Sequence, residues 1–307
     1  MKNRRLAMKN STALLALITA GSLWGVTVAL SKLSLGWLDP SWLSAMRFLV
    51  AAPILAVIGR RGLRDALTPS VFVSGALGFG VVILLQNAGI NHTSVSHAAI
   101  IVGALPVIVA LVTAGVGNGS ASPLAWLGYG IALAGIMLVA KGGGGGATIS
   151  GDTLVFASVV ISGLFIAMQP RVLRGRDAAA VTAVQFAAGA AVSLPVALIS
   201  GGLPHAPTAS GPVLAFVALA LVGTILPFWL FAYGQARVPA QMAGAFVNFE
   251  PLVGALVGWV AFSDPVGPWQ IFGAVAVVSG ILVSLLPLDL NISWPRHQRT
   301  VEAAQQS

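Results

Sequence analysis

Two charged side chains lie inside long apolar stretches of this 307-residue chain, and they are the first candidates for chemistry. Glu250 is about halfway along one such stretch, and Arg47 lies within another. A charge within a membrane is costly unless it is paired, neutralised or in contact with water, so such residues are often functional. Glu250 could couple proton movement or bind an amine, or it could be a buried carboxylate hydrogen-bonded near the helix break at Pro251. We favour the structural role, with Glu250 still the best single candidate for function.

Arg47 also allows two interpretations. It could clamp the carboxylate of a ligand, or it could anchor its helix. It lies about a turn and a half from the outer end of the predicted helix, so its long side chain could snorkel to the membrane surface. We favour the anchor.

Amides and aromatic residues on neighbouring stretches could share a cavity with Glu250. Trp229 and Tyr233 are four residues apart and therefore lie on one helix face. Amides either line a wet cavity or hydrogen-bond between helices, and aromatic stripes often face lipid or pack. The predicted ligand-binding residues are Trp24, Phe79, Gln86, Trp229, Tyr233, Asn248 and Glu250. The predicted structural or gating residues are Arg47, Pro106 and Pro251.

Motifs of soluble catalysis are missing from the sequence. There is no Walker A lysine motif, no G-x-S-x-G elbow, no H-E-x-x-H and no G-x-G-x-x-G. Cysteine is absent, and the four histidines form no obvious metal set. An intramembrane enzyme would need more clustered polar groups. We expect no enzyme activity, no cofactor and no metal, and any driving force must be a gradient.

The composition is that of a polytopic membrane protein. Hydrophobic residues make up 57% of the chain, charged residues 8%, and the mean hydropathy is +0.93. These values exclude disorder and an ordinary soluble globule. The net charge of +8 does not indicate nucleic-acid binding, because the basic residues form short clusters between apolar runs.

Ten apolar segments are long enough to be predicted membrane helices, since a span needs about 20 mostly apolar residues. The first is interpreted as a retained helix rather than a cleaved signal peptide. The segments are 13–33, 42–58, 71–90, 95–116, 124–140, 153–169, 178–199, 213–233, 240–262 and 269–286.

The distribution of Lys and Arg predicts the orientation. With ten spans and the N-terminus inside, 13 of the 16 basic residues fall on one side and only Lys32 and Lys141 on the other. The positive-inside rule then places both termini in the cytoplasm.

The sequence repeats itself at an offset of 145 residues. From Gly78–Val139 against Gly223–Ser284, 13 of 62 positions are identical, including the pairs Pro106/Pro251 and Gly128/Gly273. At an offset of 138, Ala45–Phe48 aligns with Ala183–Phe186. Five spans in each half mean that the second half enters the membrane from the opposite side. The two halves are therefore predicted to be inverted repeats, a common arrangement in secondary transporters.

These features resemble the EamA-type branch of the drug/metabolite transporter superfamily over residues 11–287. The resemblance rests on Ser22–Gly25, Ala45–Phe48, Phe249–Leu252 and Gly254–Trp259, with Gly273-Ala274 and Gly280-Ile281. It implies an inner-membrane carrier that exports amino acids or other small metabolites. It also implies a central cavity between the halves, with the fifth and tenth helices at the periphery. Ser263-Asp264 and His97 depart from the family pattern and leave the substrate open.

We therefore expect an all-α polytopic membrane protein with ten helices, arranged as two inverted five-helix repeats around a central cavity. The expected units are a first repeat over 11–140, a glycine-rich linker over 141–150, a second repeat over 151–287 and a cytoplasmic tail over 288–307. The expected partners are a small-molecule substrate, protons and lipid. Two alternatives stay open: a facilitator for another metabolite or drug, and a receptor or assembly subunit that does not transport.

Overall fold

The structure is a computed structural model, and its described residues are almost entirely helical. It describes residues 2–93, 98, 101–115, 122–141, 148–200, 202–238, 243–244, 246–247, 249–261 and 267–286. The predicted linker falls mostly outside the described residues, as does the predicted tail.

Eleven helices are numbered here in chain order, and a short 3₁₀ turn, Arg60–Gly62, lies between α2 and α3. Residues 76–81 of α4 and 221–225 of α9 are π-helical. The bounds are α1 Lys2–Ser34, α2 Pro40–Ile58, α3 Leu63–Ala66, α4 Pro69–His92, α5 Leu105–Gly115, α6 Pro123–Lys141, α7 Ile149–Val172, α8 Ala178–Ser200, α9 Ser210–Gln235, α10 Phe249–Ala261 and α11 Pro268–Leu285.

The helix starts follow from local chemistry. Asp39 caps α2 by accepting hydrogen bonds from the backbone N–H groups of Ser41, at 2.8 Å, and Trp42, at 3.1 Å. Pro40 occupies the first helical position, where its missing N–H is not needed. Asp177 caps α8 in the same way, accepting from the N–H of Ala180 at 2.9 Å. Asp39 and Pro40, which lie between the first two predicted segments, therefore start a helix.

Six described helices are long and apolar enough to cross a membrane. The predicted fourth, fifth, ninth and tenth spans are represented by shorter apolar helices within the described residues. The structure thus confirms a multi-pass helical membrane protein, and the count of ten stays a prediction. The six helices are Ser11–Ser34, Pro40–Ile58, Pro69–His92, Ile149–Val172, Ala178–Ser200 and Ser210–Gln235.

The two π-helical stretches lie at matching positions of the repeat. Gly78 and Gly223, 145 residues apart, each fall within one of them. Where a side chain would begin, Gly78 meets the ring of Phe165 in α7 and Gly223 meets the methyl group of Thr27 in α1. Phe165 and Thr27 are themselves 138 residues apart, the offset found for the second helix of each half. The repeat therefore includes backbone irregularities and their packing partners, and not only residue identities.

Glycines bring α6 and α11 into direct contact. A Cβ added at Gly128 would lie 2.5 Å from the carbonyl oxygen of Gly280, and one at Gly135 would lie 2.6 Å from that of Gly273. Rising numbers on α6 pair with falling numbers on α11, so the two helices run antiparallel. Both helices also carry large exposed hydrophobic side chains, such as Leu127 and Phe272, so this pair lies at the edge of the bundle.

Polar contacts join the two halves at both ends of the bundle. At one end, the indole N–H of Trp42 donates to the Gly202 carbonyl at 2.7 Å. At the same end, Thr93 donates to the Asp152 carboxylate at 2.6 Å. At the other end, the Gln185 amide donates to Ser74 at 2.9 Å. Between these ends lies the apolar interior in which the candidate residues sit.

Candidate functional site

Arg47 points into the bundle. Its side chain is 4% exposed, and its Nε donates to the Thr224 hydroxyl at 2.6 Å. Its Nη2 donates to the Gly223 carbonyl at 3.4 Å, inside the π-helical stretch of α9. A π turn leaves carbonyl groups without their usual helical partners, which explains why an arginine can bind there. The expected snorkelling to the membrane surface is therefore wrong: Arg47 ties α2 to α9.

Glu250 is buried in the first turn of α10, which starts at Phe249. Its backbone N–H bonds to the Val247 carbonyl at 2.8 Å, a tight turn at the position before Pro251. The positive end of a helix favours a carboxylate at this point. Among the described residues, Glu250 and Arg47 are the two charged side chains that are buried in the interior. Glu250 thus lies at the start of a described helix and not halfway along it, and its role stays a prediction.

Pro106 marks the equivalent break in the first half. It is the second residue of α5, and a turn at Ala104 precedes the helix. The N–H of Val107 bonds to the Ala104 carbonyl at 3.1 Å, as in a tight helix start. Pro106 and Pro251 thus begin helices rather than kink them from inside. Whether either proline acts as a hinge stays a prediction.

Small residues let α1 approach Glu250 closely. A Cβ added at Gly25 would lie 2.7 Å from the Glu250 carbonyl oxygen and 2.5 Å from the Val253 Cβ. Gly21, one turn away, similarly meets Phe249 of α10, at 3.2 Å from its Cβ. Gly21 and Gly25, four residues apart, therefore form a close packing surface on α1. The contact places Trp24, their neighbour on α1, beside the start of α10.

Trp24 is buried against two phenylalanines and has an unused donor. Its ring centroid lies 4.8 Å from that of Phe228 and 4.7 Å from that of Phe231. Within the part of the chain that the structure describes, its buried indole Nε1 has no hydrogen-bond partner. A buried N–H without a partner is uncommon and costs roughly 1–3 kcal/mol. A ligand with an acceptor atom would therefore gain a hydrogen bond from this N–H.

Phe79, the second predicted aromatic residue, lies at the centre of a cluster of rings. It packs at 4.9 Å from both Phe186 and Phe228, at 5.1 Å from Phe165 and at 5.8 Å from Phe48. Phe228 links this cluster to Trp24. The sequence prediction did not include Phe228, although this residue directly precedes Trp229 on a predicted span. It missed Thr224 because a hydroxyl in a helix carries no signal of its own.

Trp229 and Tyr233 do not join Trp24. They lie about 100–140° around α9 from Phe228, at 100° per residue. Trp229 packs at the edge of the cluster that surrounds Phe48. The Tyr233 ring stacks under the guanidinium of Arg237 at 3.6 Å. Trp229 therefore packs on the same cluster as Phe79 and Phe228, whereas Tyr233 lies apart with Arg237.

The amides fall into different environments. Asn87 is buried and donates to the Ser44 hydroxyl at 2.9 Å, so it joins two helices. Gln86, its neighbour, is half-buried on another face of α4. Asn248 lies outside the described residues. Among the described residues, no group of three or more His, Asp or Glu side chains could hold a metal ion.

Known proteins match this architecture over nearly its whole length. The sequence model of the EamA-like transporter family matches twice, at residues 11–141 and 149–286. This chain belongs to the EamA-like transporter family. It is accordingly a membrane transporter of the drug/metabolite transporter superfamily, as the sequence resemblance implied.

Relatives are distant but full-length. This transporter is 25% identical to an uncharacterised transporter of Archaeoglobus fulgidus, over 90% of this chain and 98% of that protein. It is 24% identical to the uncharacterised transporter YyaM of Bacillus subtilis, with coverages of 90% and 94%. It is also 25% identical to a probable terminal-alkyne amino-acid exporter of Streptantibioticus cattleyicolor, again over 90% and 94%.

A solved crystal structure shares the fold. It superimposes with a TM-score of 0.76 at 23% identity and covers 90% of this chain and 96% of its own. The match supports the helical architecture and does not bear on the substrate.

Complementary groups lie in the buried interior of this EamA-like transporter. The guanidinium of Arg47 lies 5.9 Å from the ring centroid of Phe48, which packs on Phe79. Phe228 joins Phe79 to Trp24, and Gly25, the neighbour of Trp24, lies against the backbone of the buried Glu250. Such a set can bind a small molecule with charges of both signs and an apolar body.

Proposed function

We propose that this protein is an inner-membrane secondary transporter that exports small amphipathic metabolites, with amino acids as the main class, by alternating access. The single observation that carries the proposal is the burial of two opposite charges, Arg47 and Glu250, in an apolar helical interior that also holds the buried, unpaired Nε1 of Trp24 within the described residues. A soluble enzyme has no reason to keep such groups within apolar helices, whereas a carrier needs them at mid-depth.

An amino acid would fit these groups by charge. Its ammonium group would bind Glu250, and its carboxylate would bind Arg47 and the Trp24 N–H. A guanidinium carries five N–H donors, of which Thr224 and Gly223 take two. Its side chain would lie on Phe228 and Phe79. The probable amino-acid exporter among the relatives supports the same substrate class and the outward direction.

Alternating access is supported by the symmetry of the frame. The antiparallel contact between α6 and α11 and the matched π-helical stretches are what two inverted halves would produce. The halves are joined by polar contacts at both ends of the bundle. The proposed cycle breaks the contacts at one end while those at the other end persist. The charge bias of the sequence orients both termini to the cytoplasm.

Counterflow in proteoliposomes tests the proposal. Vesicles loaded with an unlabelled amino acid should accumulate the same labelled amino acid, and a panel of amino acids would identify the preferred side chains. Glu250→Gln should abolish uphill, pH-driven movement if protons are coupled through this residue. It should also weaken exchange, because the neutral amide does not bind an ammonium group as a carboxylate does. The control is Trp126→Phe, because Trp126 lies on the edge helix α6 beside Tyr129 and should transport normally.

Three outcomes would contradict parts of the proposal. Counterflow of neutral drugs but not of amino acids would favour a facilitator of another class. No counterflow of any solute in correctly folded protein would favour a receptor or assembly subunit. Full proton-coupled transport in Glu250→Gln would remove Glu250 as the coupling residue and leave it a structural role.

The proposed orientation has its own test. A reporter that is active only outside the cytoplasm, fused after Ser307, should give no signal. A strong signal would mean an odd number of spans, and the inverted repeat would then fail.

A further inference from the structure

A cleft opens where α2 ends, on the face that the charge bias assigns to the cytoplasm. Its volume is about 460 Å³. It is bounded by the end of α2, the 3₁₀ turn and the residue that caps α8. The lining residues are Val57, Ile58, Gly59, Arg60, Arg61, Gly62 and Asp177.

The shape of the cleft is fixed by close packing. Gly59 lies directly against the backbone of Ala180, and a Cβ at Gly62 would lie 2.7 Å from the Cβ of Asp177. The Gly59 N–H bonds to the Leu55 carbonyl at 2.8 Å, which holds the turn to α2. A larger residue at either glycine would push the turn away from α8. The cleft is therefore a built feature of the fold.

The two arginines of the cleft are free to bind an anion. Arg60 and Arg61 are exposed, and in the described part of the chain neither guanidinium has a hydrogen-bond or ion-pair partner. Arg176 differs, because it donates to the carbonyl groups of Asp65 and Val172 at 2.9 and 2.6 Å. The positive-inside rule accounts for arginines on this face, and it does not require two of them to line a cleft without partners.

The remaining lining residues indicate what kind of anion fits. Val57 and Ile58 are 70% and 51% exposed at the end of a membrane helix, where acyl chains begin. Asp177 commits one carboxylate oxygen to the N–H of Ala180. Two arginines and one aspartate leave a single net positive charge, which matches the single negative charge of a phosphodiester.

We propose that this cleft binds the phosphate of an anionic phospholipid, with the first part of an acyl chain on Val57 and Ile58. The planar guanidinium groups suit phosphate oxygens, and basic pockets on this side of a membrane attract anionic headgroups. The site rests on the proposed orientation and is independent of the transported substrate.

Native mass spectrometry of the full-length protein tests the proposal. The probes are phosphatidylglycerol and phosphatidylcholine with the same acyl chains. The protein should retain phosphatidylglycerol preferentially. Arg60→Gln with Arg61→Gln should weaken its retention roughly 25-fold, taking about 1 kcal/mol, a factor of five, for each arginine.

The matched control is Arg64→Gln with Arg174→Gln. Both arginines are exposed on the same face, and neither lines the cleft. The control changes the net charge equally and should keep lipid retention at the wild-type level. Size-exclusion profiles and transport of both variants verify folding, and transport also separates failure of this site from failure of the proposed function.

Three results would overturn the proposal. Equal retention of both lipids would show no site for the anionic headgroup. An equal loss in the control pair would show a general effect of surface charge. Displacement of the lipid by millimolar inorganic phosphate would show a site for free phosphate instead of a lipid.

Discussion

Arg47 and Gln185 occupy matching positions in the two halves, 138 residues apart, yet they make different contacts. Gln185 exchanges two amide hydrogen bonds with Gln169, at 3.1 and 2.9 Å, and bonds to Ser74. Arg47 instead donates to a hydroxyl and a carbonyl of α9 and keeps its charge buried in the interior. One half closes its position with neutral amides, and the other leaves a buried charge there.

The partner position shows the same difference. Glu250 matches Leu105 at the offset of 145, and Leu105 is a buried aliphatic residue. The backbone at the two positions is alike, since each lies at a tight helix start beside a proline. The repeat therefore builds a symmetric backbone frame. Of its two symmetry-related pairs of positions, Arg47 with Glu250 carries charge, whereas Gln185 with Leu105 is neutral. Packing needs the frame, whereas recognition of a charged substrate needs the asymmetry.

The largest expected effect comes from giving the first half the residue of the second. Arg47→Gln should reduce counterflow at least tenfold, because Glu250 loses its opposite charge. It should also lower thermal stability, since removing one partner of a buried charge pair costs about 3–5 kcal/mol. The double variant Arg47→Gln with Glu250→Gln should recover stability and not transport. Wild-type transport by Arg47→Gln would break the comparison.

The symmetric frame can be tested at the α6–α11 contact. Gly128→Leu should separate the two helices and cost about 1–3 kcal/mol, seen as a lower melting temperature and yield. Gly130→Leu is the matched control, because nothing lies within 4 Å of a Cβ at Gly130. Equal behaviour of the two variants would contradict the antiparallel packing.

The neutral amide pair should affect stability and not recognition. Gln185→Leu leaves the Gln169 amide without its partner and should cost about 1–2 kcal/mol. Gln169→Leu with Gln185→Leu removes both amides and should recover part of that loss. Thermal unfolding measures the difference, and the affinity for the transported substrate should not change. A large change in affinity would place a binding role in this half as well.

The smallest expected effect concerns the unpartnered donor. Trp24→Phe keeps the aromatic packing on Phe228 and removes the indole N–H. A net hydrogen bond is worth about 1 kcal/mol, so the KM for an amino acid should rise about fivefold with little change in the maximal rate. Trp126→Phe should leave the KM unchanged. An unaltered KM in Trp24→Phe would exclude its N–H from recognition.

The fold was largely predictable because its signals are periodic and local. The long apolar runs are helices in the structure, and the offsets of 145 and 138 relate its two π-helical stretches and their packing partners. The aligned glycines Gly128 and Gly273 both lie at the α6–α11 contact, where Gly128 meets Gly280 and Gly135 meets Gly273. The approach of Gly21 and Gly25 to α10 was predictable from their spacing. The count of ten spans and the linker boundaries stay predictions, because the described residues do not cover them.

The candidate site was less predictable, since it depends on side-chain direction. Arg47 turns inwards because the π-helical stretch of α9 offers it Thr224 and Gly223, and nothing in the sequence announced that stretch. Trp229 and Tyr233 share a face as predicted, but that face is not the one that meets Trp24. Phe228, one residue away, is the one that does. In a uniformly apolar helix, the sequence does not show which of two adjacent aromatic residues faces the interior.

The most direct test of the central claim compares three solutes with the same side chain in the wild-type protein: an amino acid, its decarboxylated amine and its deaminated acid. Each competes against labelled amino acid in proteoliposome counterflow. If Arg47 and Glu250 bind opposite ends of one substrate, the amino acid should compete at least tenfold better than either analogue. Equal competition by the amine or the acid would contradict a site built on a pair of opposite charges.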